Sequence, residues 1–144
     1  MVKQTDMALL NIPFMSVAYA PAGTSLLKAC IQEAGFTCIV KDYNIKLWHS
    51  LSDPKVIADL ENYFTVNASL DTDTQILVDQ YYDLVVEDLL KLNPKWIGFS
   101  VFTFQCQRAT KEILKKFYQN LEIKKLELAY SSIRRSKMLK FLMS

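Results

Sequence analysis

A chain of 144 residues, 51% hydrophobic and 22% charged, is long enough to bury one core and too apolar to stay disordered. A net charge of +2 excludes the strong basic field that nucleic-acid or membrane-surface binding needs. Cys30, Cys38 and Cys106 leave an odd thiol under any pairing, so the expectation is three buried, reduced thiols in a cytoplasmic protein. No apolar run reaches the roughly 18 to 20 residues of a spanning helix, and MVKQTD lacks a signal-peptide core.

Met7 to Ile12 has the length and composition of a buried parallel strand, and Pro13 stops its pairing. A loop from Phe14 to Ala22 follows, broken by Pro21 and Gly23. Thr24 or Ser25 is placed to cap a helix carrying Leu26, Leu27, Cys30, Ile31 and Ala34 at helical spacing, with Gly35 closing it. Phe36 to Asp42 reads as a second strand, reached by a right-handed crossover.

From His49 to Asn93 the pattern is helical. Ser52 or Asp53 can cap one helix with Pro54 at its first position and Val56, Ile57, Leu60, Tyr63 and Phe64 inward. Residues 67–74 read as a loop. A second helix from about Asp73 to Leu92 ends at Asn93-Pro94. Lys95 to Phe102 is the most strand-like run, and a helix from about Gln105 to Tyr118 follows it. Residues 124–130 alternate weakly and are expected as a fourth strand; Ser131 or Ser132 would then cap a last basic helix. Residues 120–144 carry six Lys/Arg against two Asp/Glu, whereas the other residues carry eleven against thirteen. The chain therefore divides into an α/β domain over 1–119 and a basic extension of it over 120–144.

Few residues suggest chemistry. His49, the only histidine, reads as an exposed or packing loop residue, and no cysteine has metal-ligand spacing. Cys106 at a helix start could be a reactive thiol, but a small buried residue is the favoured reading. Asp79, Asp83 and Glu87 share a helix face that reads as solvated rather than metal-binding. Ala20 to Ser25 holds one glycine, short of a phosphate-loop fingerprint, yet it aims a helix N-terminus above the sheet. Ser100 and Thr103 straddle the end of the third strand, one able to cap the next helix and one able to meet a ligand. Gly98 would admit a close backbone approach. Asp42 ends the second strand, where an acid meets ribose in dinucleotide folds, although the glycine-rich partner is missing.

Taken in order, Asn11-Ile-Pro13, Pro21-Ala-Gly-Thr-Ser-Leu-Leu27, Glu33-Ala-Gly-Phe36, Val40-Lys-Asp42 and Asn93-Pro-Lys-Trp-Ile-Gly-Phe-Ser-Val-Phe-Thr103 resemble the N-terminal cobalamin-binding domain of radical SAM enzymes, over about residues 7–118. The resemblance implies a three-layer α/β fold: a Rossmann-like, flavodoxin-like, mostly parallel sheet in the order 2-1-3-4 with helices on both faces. It implies a corrinoid over the strand ends, held by Pro13, Phe14, Pro21, Gly23, Thr24, Asp42, Ser100 and Thr103. Of these, Ser100 and Thr103 match the positions facing the nucleotide tail, and the Phe14 to Gly23 loop matches the part facing the corrin.

The chain departs from the family in four ways. It lacks the Asp-x-His-x-x-Gly cobalt ligand, the Cys-x-x-x-Cys-x-x-Cys set that would hold an iron–sulfur cluster, the radical SAM core, and the Gly-Gly strand after the third helix. The expectation is a truncated or frameshifted relative with a new tail. Reading the coding DNA in its other frames tests that, and finding no Gly-Gly strand and no radical SAM core in any frame sinks it. The function expected is a cofactor- or ligand-binding module, the remnant or partner of a radical SAM methyltransferase or cyclase, not catalytic alone. Alternatives are a stand-alone interaction module that kept the fold and lost the cofactor, self-associating through an open sheet edge or its tail, and a small-ligand enzyme using Ser100, Thr103 or Cys106. No nucleic acid or membrane is expected as partner.

Overall fold

The computed structural model describes residues 4–18, 21–101 and 103–142, and the side chains of these as far as residue 124. The chain runs β1 (Met7–Asn11), α1 (Ala22–Glu33), β2 (Cys38–Asp42), α2 (Tyr43–His49), α3 (Pro54–Val66), α4 (Thr72–Leu92), β3 (Trp96–Ser100) and α5 (Gln105–Leu142). The three strands form one parallel sheet in the order β2-β1-β3. Register sets Ala8 beside Ile39 and Ile97, and Leu10 beside Lys41 and Phe99. Period-2 alternation puts these residues on one face. There Ala8 and Leu10 join Tyr43, Leu47, Leu60, Phe64, Val85, Leu89, Cys106, Ala109 and Ile113 in a single core built by α2 to α5. No α1 residue enters that core; α1 packs on β1 and β2 from the other side.

The strand ends where the chain enters are pinned by one acid. Asp6 accepts from Lys95 Nζ (2.6 Å), Thr37 N (2.8 Å) and Thr37 Oγ1 (2.8 Å), so a single carboxylate joins the starts of all three strands. Helix ends follow local rules where suitable residues exist. Asp53 caps α3 by accepting from Lys55 N, with Pro54 at the first position. Asp71 caps α4 by accepting from Thr74 N, and Asn93 closes it at φ 45°. After α1, Gly35 takes φ +87° and donates to Gln32 O, a left-handed turn that glycine makes without strain.

Five expectations are corrected. Residues 124–130 are helical, inside α5, and not a fourth strand; α5 also runs unbroken through Ser131 and Ser132, so neither begins a new helix. Continuous Leu, Ile, Lys and Glu residues propagate a helix already nucleated at Gln105 more readily than they form an isolated strand. Helix α1 starts at Ala22, with Pro21 as its cap residue, and the Thr24 and Ser25 hydroxyls donate back to Pro21 O (3.2 and 3.4 Å) instead of capping. His49 is the last residue of α2, not a loop residue. Cys38 and Cys106 are buried, but Cys30 is exposed, because α1 covers the sheet with only a narrow stripe. No described helix is long and apolar enough to cross a membrane.

Candidate functional site

In open parallel sheets the loops leaving neighbouring strands part where crossovers go to opposite faces, and a crevice opens beyond the strand ends. Here that place lies between the loops after β1 and β3, above β1. A cleft of about 570 Å³ occupies it. The loop after β1 supplies Met15, Ser16 and Val17; the start of α1 supplies Pro21, Ala22 and Gly23; Asp42, Asn44 and Ile45 come from the β2–α2 junction; and Ser100, Thr103 and Gln105 come from the β3–α5 junction.

The walls are set by side chains that bond to backbone. Asn44, buried, accepts from Met15 N (3.1 Å) through Oδ1 and donates to Met15 O (3.0 Å) through Nδ2. Trp48 Nε1 donates to the same carbonyl (3.1 Å). Asp42 has both oxygens engaged: Oδ1 accepts from Ile45 N (2.9 Å), capping α2, and Oδ2 accepts from Asn11 Nδ2 (3.2 Å). Asn11 is fully buried at the end of β1, between Asp42 and Ser100 in register, and its Oδ1 has no hydrogen-bond partner among the described residues. A buried carbonyl without a donor is costly and calls for a partner. On the β3 side, Gln105 Nε2 donates to Thr65 Oγ1 (3.0 Å), and Thr103 Oγ1 lies 3.5 Å from Cys106 Sγ. Cys106 Sγ also donates to Ile12 O (3.7 Å) and is fully buried, the setting of a packed thiol.

Five of the eight sequence-predicted residues meet in this cleft: Pro21, Gly23, Asp42, Ser100 and Thr103. Three do not line it. Pro13 is fully buried. Phe14 stacks on Phe64 (5.4 Å) and lies against Trp48 (4.8 Å), and borders a neighbouring hollow instead. Thr24 is buried with its hydroxyl turned to Pro21 O. Gly98 serves its neighbour in the sheet: a Cβ there would come within 2.8 Å of Leu9 Cδ2.

Asn44 and Gln105 went unpredicted. Asn44 had a signal, since Asp42 followed by Tyr43 and Leu47 at i, i+4 spacing is a capped helix start. Gln105 had none, because its partner Thr65 is 40 residues away.

The acidic stretch resolves into pairs. Asp83 meets Lys116 Nζ (2.8 Å), and Glu87 meets Lys91 Nζ (3.5 Å). Asp88 accepts from Tyr43 Oη (2.7 Å) and lies 3.3 Å from Lys41 Nζ and 3.8 Å from Lys46 Nζ. Partial burial opposes ionisation of Asp88, yet the Tyr43 hydrogen bond and the two lysines hold its carboxyl below the usual range. Burial first, then Asp88, pushes the Tyr43 phenol well up. Among the described residues no group of three or more His, Cys, Asp or Glu converges as a metal site. The chain matches no family model, no curated protein and no solved structure.

Proposed function

We propose that the chain is a ligand-binding module with a Rossmann-like α/β fold and no catalysis of its own, holding a corrinoid over the carboxyl ends of its strands. One observation carries the reading. Pro21 and Gly23, Asp42, and Ser100 and Thr103 come from three separate junctions and line one cleft at the sheet's switch point.

The donor set suits part of a corrinoid. The first turn of α1 has N–H groups without intrahelical partners, and Thr24 and Ser25 leave them free by bonding to Pro21 O. Those groups and the hydroxyls of Ser100 and Thr103 suit amide and phosphate oxygens. A cleft of about 570 Å³ takes a side arm or nucleotide tail and leaves a corrin ring outside. The described lining holds no His or Cys, so a bound corrinoid would take no imidazole or thiolate from it.

The test is to incubate the protein with hydroxocobalamin, desalt it and record the absorption spectrum. A retained corrinoid band that is lost in the double variant Ser100→Ala/Thr103→Ala is expected. No retention by the unaltered chain rules the corrinoid out.

A second reading, an interaction module that has lost the cofactor, is favoured by the apolar exposure of Leu26 (68%), Phe36 (58%) and Trp96 (70%). Absence of the corrinoid band together with a stable oligomer would select it.

A further inference from the structure

In a parallel ladder, alternate residues turn their N–H and C=O groups toward opposite neighbours. Trp96 N donates to Asp6 O (2.9 Å), so Trp96, Gly98 and Ser100 turn theirs toward β1. Ile97 and Phe99 therefore turn theirs to the far side, where none of the described residues forms a strand. Such an edge is a template for another chain unless charge, proline or a bulge guards it. Trp96 to Ser100 contains no charge and no proline, and its pairing with β1 has no bulge. The other edge is different: β2 carries Lys41 and Asp42 and turns directly into α2.

We propose that β3 pairs antiparallel with β3 of a second copy, about a two-fold axis through Gly98, giving a six-stranded sheet in the order 2-1-3-3-1-2. The register follows from the backbone. The outward-turned residues must face each other. With the axis at Gly98, Ile97 faces Phe99 of the second copy on both sides of the axis, and each pair exchanges both of its hydrogen bonds. An axis at Ile97 or Phe99 would leave only one such pair inside the strand, and a shift by one residue would leave none.

Side chains agree with this register. Gly98 faces Gly98 in a pair where the two backbones come closest, at about 4.5 Å between Cα atoms, and no side chain obstructs it. Ile97 against Phe99 continues the core face across the junction. Trp96 faces Ser100 and lies diagonal to the second glycine, the position from which an aromatic ring covers a glycine in a sheet. No like charges are opposed. A two-fold contact also closes, so it makes a dimer and not a fibre, and only the charged β2 edges remain outside.

The test has two measurements. Light scattering on the eluting protein should give twice the chain mass of 16.6 kDa. The second uses Trp96→Cys/Ser100→Cys with Cys30→Ser to remove the exposed thiol. Within one chain positions 96 and 100 are about 13 Å apart at ~3.3 Å per residue, beyond the ~7 Å a disulfide spans. Across the axis they are directly opposed. Oxidation should therefore crosslink the double variant nearly completely and leave each single variant uncrosslinked. A 16.6 kDa species at every concentration up to the solubility limit overturns the proposal. So does a dimer whose double variant stays uncrosslinked, or whose single variants crosslink as readily.

Discussion

Asn44 does the most for the cleft of any single residue, because one buried amide satisfies both the donor and the acceptor of Met15. Asn44→Ala would strip Met15 N of its partner and leave Trp48 alone on Met15 O. Losing two partly buried hydrogen bonds should cost about 1–3 kcal/mol, read from the urea midpoint at unchanged slope. A change below about 0.5 kcal/mol would mean that water replaces the amide and that the loop is not held by it. Tyr43 sits beside the same junction and shows how one position links two layers: its carbonyl accepts from Tyr81 Oη (2.9 Å) while its hydroxyl donates to Asp88. These roles were not legible in the sequence. The capped helix start at Asp42 is a local signal, but the partners of Asn44 and Tyr43 lie 29 to 45 residues away.

Helix α1 is the element where fold and site are most separable. Its exposed flank includes Leu26 and Leu27, and its first turn opens on the cleft at Gly23. A Cβ added at Gly23 meets nothing within 4 Å and the position has no positive φ. Gly23→Ala should therefore fold normally and gain up to ~1 kcal/mol from helix propensity. The same methyl group points into open space that a ligand would use, so corrinoid retention should fall while the melting temperature holds or rises. Undiminished retention would remove Gly23 from the binding surface. The positions of α1, α3 and α4 were readable from spacing, as were an α3 cap at Ser52 or Asp53 and the Asn93 stop, because each depends on neighbours a few residues away; α2 was not. The start of α1 was misread. Thr24 and Ser25 have capping chemistry, but Pro21 fixes φ and starts the helix earlier, and their hydroxyls turn back to its carbonyl.

At the scale of the molecule, Asp6 ties β1 to β2 through Thr37 and to the start of β3 through Lys95. The Lys95 and Thr37 hydrogen bonds hold its carboxyl well below the usual carboxylate range. A carboxyl lowered in the folded state stabilises above its unfolded value of about 4, and that contribution is lost as the pH falls below it. Asp6→Asn should thus be less stable than the parent at neutral pH, and the gap should narrow as unfolding is measured from about pH 5 toward pH 2. A gap that stays constant with pH would mean that the charge of Asp6 is not what joins the strands. The sequence by itself determined the three parallel strands, their helical crossovers and the end of the sheet where a cleft would open, since apolar period, proline and glycine are local signals. It also carried five of the cleft's lining residues, because they lie at strand ends. Only the tertiary structure decided the rest. The weakly alternating run at 124–130 continues a helix, Phe14 and Pro13 turn into the core, and β3 has no strand beyond it among the described residues. Each of those outcomes depends on which distant surfaces compete for the same side chain or backbone group, and a local pattern does not encode that competition.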